Sequence, residues 1–207
     1  MSNTIGQLIA FSGIDGAGKT EVIRYVTADL HRKGISVATF LNHQPFSSYW
    51  TFLKRFMVLY EERLGIFPYE IDRLFQAVEL GVVAEEQLPS LLSQFQLVLS
   101  DRFVVDKIVY GRLRGDMGIA SVALATVQYI PTLTIFLDVS VETARKRIDR
   151  RGGPADWKET PEMLQAAKSS FELELGGYAG KVLRVDAEQA LPVVGDLVVA
   201  HIEKLLS

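Results

Sequence analysis

The segment GIDGAGKT at residues 13–20 is the strongest indication of the fold of this chain, because it matches the phosphate-binding pattern G-x-x-x-x-G-K-[ST] at every fixed position. Glycines let the backbone N–H groups of such a loop converge on phosphate oxygens, and the following helix offers its positive end. The apolar run at residues 7–13 predicts a buried strand before the loop, and helical spacing of apolar residues over 19–33 predicts a helix after it. The segment therefore predicts nucleoside triphosphate binding.

The residue types of the loop indicate how it would work. Lys19 is placed to reach the β- and γ-phosphates, and the Thr20 hydroxyl is placed to ligate Mg²⁺. The loop lacks the dinucleotide pattern G-x-G-x-x-G, and the chain has no N-K-x-D segment of the kind with which GTPases read their base. A small kinase is therefore favoured. The residues expected to bind ATP are Gly13, Ile14, Asp15, Gly16, Ala17, Gly18, Lys19 and Thr20.

Strand-like and helix-like segments alternate along the chain. Predicted strands cover residues 7–13, 35–41, 96–100, 132–137 and 181–186. Predicted helices cover residues 19–33, 49–64, 71–95 with breaks near Gly81 and Pro89, 119–129, 141–151 after an N-cap at Ser140, 161–176 after an N-cap at Thr160, and 192–206. This alternation predicts an α/β fold of the P-loop NTPase type, a three-layer α/β/α domain over residues 1–207 with a five-stranded parallel sheet covered by helices on both faces.

The composition of the chain argues against several classes of function. The chain has 207 residues, 48% of them hydrophobic, and a net charge of −3, which argues against a nucleic-acid partner held by bulk charge. It has no cysteine, which excludes disulfides and thiolate chemistry. No apolar run approaches the roughly 20 residues of a membrane span. Residues 1–7 lack a signal-peptide core, so the expectation is a cytoplasmic protein with no membrane partner.

An acid and an arginine follow the predicted third strand. Asp101 and Arg102 stand where ligands of open parallel sheets collect, at the carboxyl end of a buried strand. Asp101 is a candidate to hold Mg²⁺, and Arg102 is a candidate to clamp an anionic acceptor through two hydrogen bonds. A solvated ion pair that ends the strand is the alternative.

Basic residues crowd the predicted helix that ends before Gly152-Gly153-Pro154. Arg147 and Arg151 are four residues apart and so share one face of this helix. A glycine-hinged lid over about residues 150–160 would carry such an arginine to the phosphoryl group in transfer. Stabilisation of the helix dipole by basic residues at the helix end is the alternative.

These segments together resemble the thymidylate kinase family over essentially the whole chain. The similarity is carried by FSGIDGAGKT at 11–20, SDRF at 100–103 with Tyr110, TIFLDV at 134–139 with Glu142, Arg147 and Arg151-Gly152, and VDA at 185–187. The resemblance implies ATP-dependent phosphoryl transfer to a nucleoside monophosphate, in the first place dTMP, with Mg²⁺ as cofactor and a homodimeric enzyme.

The resemblance also implies roles for particular residues. Asp15 would contact the acceptor sugar or help to place the acceptor, and Arg102 would hold the acceptor phosphate. Gly16 stands where one subgroup of the family carries a catalytic arginine in the loop, so the lid is expected to supply that charge here. The residues expected to act in catalysis are Lys19, Asp15, Arg102, Arg147 and Arg151.

The chain departs from the family pattern mainly on the acceptor side. HQP at 43–45 replaces R-E-P, Glu79 replaces the thymine-reading arginine, Asp106 and Gly111 replace a serine and a glutamine, and DWK at 156–158 stands where the family tends to carry D-R. A carboxylate only accepts hydrogen bonds, so Glu79 would suit a base that presents an amino group. An exposed helix charge is the alternative for Glu79.

Other acceptor-side residues and other functions also remain open. Phe75 and Tyr110 are further candidate acceptor contacts, and packing is the alternative for Tyr110. A kinase for a different nucleotide or small molecule is the second function, and a nucleotide-binding protein without transfer activity is the third. Apolar residues of the second predicted helix are interpreted as core, with an acceptor pocket or a dimer seam as the alternative: Trp50, Phe52, Phe56, Met57 and Tyr60.

Overall fold

The phosphate loop joins the central strand of a parallel sheet to the first helix. The computed structural model describes residues 5–40, 48–65, 68–115, 118–154 and 156–207. The strands are β1 (Gln7–Ser12), β2 (Val37–Phe40), β3 (Leu97–Asp101), β4 (Leu133–Asp138) and β5 (Val182–Asp186). They pair in parallel in the order β2-β3-β1-β4-β5, which confirms the predicted five-stranded sheet.

Helices connect the strands. They are α1 (Lys19–Arg32), α2 (Ser48–Leu64), α3 (Tyr69–Gln94), α4 (Val104–Arg112), α5 (Gly118–Ala125), α6 (Val141–Arg151), α7 (Pro161–Gly176) and α8 (Leu191–Leu206), with a short 3-10 turn over Trp157–Glu159. Two N-caps follow the sequence prediction, since the side chains of Ser140 and Thr160 accept hydrogen bonds from the N–H groups of Thr143 and Met163. No helix within the described ranges is long and apolar enough to cross a membrane.

The side-chain period of two along β1 separates two hydrophobic cores. Ile9 and Phe11 belong to one core together with buried residues of α1, α6, α7 and α8. Leu8 and Ala10 belong to the other core, against α3 and α5. The sheet is therefore covered on both faces, as the alternation in the sequence predicts. Its carboxyl edge, where β1 and β3 end, lies between these layers.

The third helix differs from the sequence prediction. It runs unbroken from Tyr69 to Gln94, through both Gly81 and Pro89. Leu80, Ala84 and Leu88 are fully buried along it and pack into the second core, so tertiary packing outweighs the local helix-breaking tendencies. The predicted breaks are wrong.

A short helix that the sequence pattern did not reveal follows β3. Helix α4 has only nine residues, too few for a clear apolar period. Its start is stabilised by Asp106, whose carboxylate accepts from the N–H of Phe103 at 3.4 Å. This helix fixes the direction of the chain just after Asp101 and Arg102.

Candidate active site

The phosphate loop packs so tightly against its surroundings that two positions admit only glycine. Gly13 and Gly16 have φ angles of 145° and 82°, outside the range that other residues favour. A Cβ atom on Gly16 would lie 2.4 Å from the carbonyl oxygen of Ala144 in α6, and one on Gly13 would lie 2.8 Å from that of Leu137. The loop therefore has no room for a side chain at position 16.

Lys19 is the buried cation of the loop. Its side chain is almost fully enclosed, and Nζ donates to the carbonyl oxygens of Gly13 and Ile14 at 2.9 Å each. Burial and the nearby Arg102 together lower the pKa of Lys19 to about 8, although Asp15 and Asp106 partly oppose them. A phosphate placed in the loop would favour the protonated form of this lysine.

This lowered pKa leads to a prediction for ATP affinity. Below pH 8 Lys19 is already protonated, whereas above pH 8 a proton must be taken up before the ammonium can meet the phosphates. We expect the dissociation constant for Mg-ATP to rise roughly tenfold or more between about pH 7.5 and pH 9.5. Calorimetric titrations at a series of pH values would measure it. Lys19→Met should bind weakly and without this pH dependence, and a wild-type affinity that stays level across the range would contradict the prediction.

Thr20 and Asp101 come together from different elements. The Thr20 hydroxyl, in the first turn of α1, donates to Oδ2 of Asp101 at the end of β3, at 2.8 Å. Both side chains line a cleft of about 840 Å³ together with the loop. Hydroxyl and carboxylate oxygens are hard ligands of the kind that Mg²⁺ prefers. The pair therefore fits a metal that keeps waters and phosphate oxygens as its other ligands.

Arg102 links the phosphate loop to the acceptor side. Nη2 forms an ion pair with Asp15, Nη1 donates to Oδ1 of Asp106 at 3.0 Å, and Nη1 also approaches the carbonyl oxygen of Gly13 at 3.3 Å. The guanidinium carbon lies 5.0 Å from the centre of the Tyr110 ring. Burial alone would lower the pKa of Arg102, but Tyr110 and these carboxylates raise it above its ordinary value, so the residue stays charged.

The backbone at Arg102 is in an unusual conformation. With φ at 72°, Arg102 is the only residue other than glycine with a positive φ among the described residues. The Ser100 hydroxyl donates to the Arg102 carbonyl oxygen at 2.6 Å, and the Arg102 N–H donates to the Phe11 carbonyl oxygen at 3.0 Å. Strain of this kind persists only where the surroundings hold it, and it is concentrated at functional sites.

Asp106 is a site residue whose place sequence reasoning missed. It is 2% exposed and accepts from the Ser12 hydroxyl at 2.6 Å, in addition to its bond from Arg102. Burial raises the pKa of Asp106, although Arg102 and Lys19 act to lower it. Arg102 lies before the N-cap of α4 and has a left-handed backbone, so no helical spacing in the sequence indicates this pair.

Asp15 is the residue of the phosphate loop that forms an ion pair with Arg102. Burial alone would raise its pKa, but Arg102, Lys19 and Lys158 outweigh burial and lower it, which keeps the carboxylate ionised. Tyr110 lies beside Arg102 and packs edge-on against Phe171 at 6.1 Å between ring centres, so it has both a packing contact and a contact with the site.

The base-side candidates occupy helix α3. Glu79 is 1% exposed, so the alternative of an exposed helix charge is wrong. Phe75, one turn earlier, packs edge-on against Phe56 at 6.0 Å. Neither residue lines the cleft that contains the phosphate loop. Residues 43–45, where the family pattern R-E-P is altered, lie outside the described residues.

The two arginines expected to act from the lid have other partners. Arg147 donates to the Ala187 carbonyl oxygen at 2.8 Å and approaches those of Gly16 and Ala17 at 3.5 and 3.4 Å. Arg151 donates to Oε1 of Glu159 at 2.6 Å, and its side chain is 60% exposed. Both line the cleft. The observed contacts of Arg147 are with backbone carbonyl oxygens, and that of Arg151 is with a residue of the lid segment.

Comparison with known proteins agrees with the geometry. A family model described as thymidylate kinase matches residues 11–198. Over 207 residues the chain is 28% identical to the thymidylate kinase of Caldanaerobacter subterraneus subsp. tengcongensis, with 97% of each chain covered. It is 31% identical over 201 residues to a probable thymidylate kinase of Archaeoglobus fulgidus, covering 97% of this chain and 96% of that protein.

Proposed function

The chain belongs to the thymidylate kinase family, and on that premise we propose that it transfers the γ-phosphoryl group of ATP to the phosphate of dTMP, giving ADP and dTDP. One structural observation supports the proposal most directly. The parallel register of β1 and β3 pairs Phe11 with Asp101, so the phosphate loop and the Asp101-Arg102 segment leave the sheet side by side. A donor phosphate in the loop and an acceptor phosphate on Arg102 would therefore be neighbours.

The residues divide the reaction between them. The loop N–H groups, the start of α1 and Lys19 hold the ATP phosphates and stabilise the charge that develops during transfer. Arg102, fixed by Asp15 and Asp106, would orient the acceptor phosphate toward the γ-phosphorus. The acceptor is itself an anion at neutral pH, so no strong base is needed and catalysis consists of positioning and charge stabilisation.

The reaction itself tests this function. ADP release from Mg-ATP should depend on added dTMP, and chromatography of the products should show one dTDP for each ADP. A chain that binds ATP but forms no dTDP would be a nucleotide-binding protein without transfer activity. We place the enzyme in the cytoplasm, where nucleotides of this kind are available.

Magnesium is the proposed cofactor, held by Thr20 and Asp101, and when bound it would neutralise charge on the β- and γ-phosphates.

The variant Thr20→Val tests the magnesium site, because it keeps the shape of the side chain and removes the hydroxyl. We expect this variant to need about tenfold more Mg²⁺ for half-maximal rate, because one of the few protein ligands is lost. A magnesium titration of the rate measures this, with Thr132→Val as control. An unchanged magnesium requirement in Thr20→Val would argue against the assignment.

The proposed enzyme is a homodimer that pairs through helix α2. Phe52, Phe56 and Leu59 follow the spacing i, i+4, i+7 along this helix, yet they are 68%, 37% and 50% exposed. The interpretation of Phe52 and Phe56 as core is therefore wrong, whereas the side chain of Trp50 is outside the description. An exposed apolar stripe of this kind is typical of an interface. A second copy of the chain would cover it in a symmetric dimer.

Changing one residue of the stripe tests the dimer. Phe52→Glu should shift the protein from dimer to monomer in sedimentation at micromolar concentration, because it would place a charge in an apolar interface. Leu64→Glu makes a similar change at a 73% exposed position about 120° further around the same helix, and should leave the dimer intact. A monomeric wild-type protein would rule out this proposal.

A further inference from the structure

Asp106 is a buried carboxylate on the side of Arg102 that faces away from the cleft. Asp15 and Arg102 line the cleft that contains the phosphate loop, whereas Asp106 and its partner Ser12 do not. The side chain of Asp106 is 2% exposed, against 10% for that of Asp15. A substrate in the cleft can therefore contact Arg102 and Asp15, while Asp106 can act on it only through a neighbouring residue.

The two oxygens of Asp106 bind different parts of the site. Oδ1 accepts from Nη1 of Arg102 at 3.0 Å, and Oδ2 accepts from the Ser12 hydroxyl at 2.6 Å and from the N–H of Phe103 at 3.4 Å. Ser12 ends β1 immediately before the phosphate loop, and Phe103 is the N-cap residue of α4. One carboxylate thus joins the strand that carries the donor loop, the start of α4 and the arginine proposed to hold the acceptor.

Two cations of the site lie close together and require carboxylates beside them. Lys19 Nζ and Arg102 Nη1 both donate to the carbonyl oxygen of Gly13, at 2.9 and 3.3 Å. Cations this close repel each other where water is largely excluded, so each needs a negative partner. Asp15 is one such partner, but it lines the cleft, so a bound acceptor phosphate would compete with it for the guanidinium. Asp106 is out of reach of the substrate, so its ion pair would persist.

We propose that Asp106 is the positioning residue of the acceptor site, which keeps the Arg102 guanidinium in one orientation when an acceptor phosphate takes the place of Asp15 beside it. The inference rests on the proposed function. The thymidylate kinase pattern has an uncharged serine at this position, so the carboxylate is a feature of this chain. A charge-assisted hydrogen bond holds a guanidinium more firmly than a neutral one, and a guanidinium aligned in advance binds and orients the acceptor better.

Neutral variants of Asp106 test this role through kinetics. Asp106→Asn keeps the shape of the side chain and removes the charge, so kcat/KM for dTMP should fall about 10- to 30-fold. The dissociation constant for Mg-ATP should stay within about threefold of wild type, because the contacts of the phosphate loop remain. Asp106→Ser, with the serine of the family pattern, gives a second neutral variant and should show a similar loss.

Asp138→Asn is the matched control for these variants. Asp138 lies at the end of β4, pairs with Lys168 and Arg184 at 2.8 and 2.7 Å, and does not line the cleft. Its loss should lower the thermal stability of the protein but leave kcat/KM for dTMP unchanged. A kcat/KM within about threefold of wild type in both Asp106 variants would overturn the inference.

A double-mutant cycle separates positioning from a general structural effect. In Arg102→Met the guanidinium is already absent, so adding Asp106→Asn should lower kcat/KM for dTMP by less than about twofold further. This result is expected because Asp106 acts through Arg102. Losses that multiply in the double variant would show that Asp106 acts independently of Arg102, and would contradict the inference.

NMR spectra of the protein without substrate observe the guanidinium directly and do not depend on the reaction. In protein that contains isotope-labelled arginine, Arg102→Met identifies the Nη1 and Nη2 signals of Arg102, and rotation about the Cζ–Nε bond exchanges them. This exchange should be at least about tenfold faster in Asp106→Asn than in wild type, because an ion pair that opposes rotation is lost. Equal exchange rates would count against the role of Asp106, whereas absence of dTDP formation by wild type would count against the proposed function.

Discussion

Lys19→Met should lower the rate of phosphoryl transfer by about 1,000-fold, measured as ADP release in the presence of dTMP. Lys19 is the buried cation of the phosphate loop, and its Nζ donates hydrogen bonds to the carbonyl oxygens of Gly13 and Ile14. Methionine keeps most of the length and removes the charge. Gly13 and Gly16 have no room for a side chain, so the loop itself offers no substitute at these two positions.

The control for this variant is Lys33, at the opposite end of helix α1 from Lys19. Lys33 lies just after α1 and pairs with Asp29 and Glu203 on the surface, at 3.2 and 2.8 Å. Lys33→Met should keep the wild-type rate, because exposed ion pairs contribute little to stability and Lys33 does not line the cleft. Transfer by Lys19→Met at more than about a tenth of the wild-type rate would mean that the loop does not work as proposed.

Removal of the Arg102 guanidinium should lower kcat/KM for dTMP by about 100- to 1,000-fold and leave the affinity for Mg-ATP within a few-fold of wild type. Two charge-assisted hydrogen bonds to a phosphate, at about 1.5 to 2 kcal/mol each, account for a loss of this size. Arg102→Lys should recover little of it, because an ammonium cannot make the paired contact.

Two substitutions of Arg102 separate the effect of its guanidinium group from the effect of its strained backbone. Glycine adopts a φ of 72° without strain, so Arg102→Gly removes the guanidinium and relaxes the backbone, whereas Arg102→Met removes the guanidinium alone. Equal losses of kcat/KM in the two variants would assign the effect to the guanidinium. A loss confined to Mg-ATP affinity, with dTMP unaffected, would contradict the role of Arg102 in holding the acceptor.

Much of the fold follows from local signals in the sequence. Residues 13–20 specify the loop, and the apolar runs on both sides of it specify β1 and α1, because the glycines and the helical period leave few other structures possible. Ser140 and Thr160 start their helices as predicted, since a cap depends on a few neighbouring residues. Burial on both faces makes the three central strands β1, β3 and β4 nearly continuous apolar runs, which are easily recognised.

The parts that could not be predicted depend on tertiary contacts. The unbroken course of α3 follows from its packing against the sheet and α5, and no local pattern reports either this or the burial of Glu79. Asp106 joins Ser12 to Arg102 across two strands, and Lys158 reaches Asp15 from a turn more than 140 residues away in sequence. The sequence shows only that several basic residues lie close together at the end of α6. Their contacts with Glu159 and with the loop carbonyl groups appear only in the structure.

The most direct test of the proposed function compares nucleoside monophosphates as acceptors in one assay. ADP release from Mg-ATP would be measured with dTMP, dUMP, dCMP, dAMP and dGMP, with Lys19→Met as the inactive control. We expect kcat/KM for dTMP to exceed that for each of the other acceptors by at least about tenfold. Turnover of another acceptor without turnover of dTMP would show that Glu79 and the altered acceptor side have changed the substrate, and would contradict the proposed function.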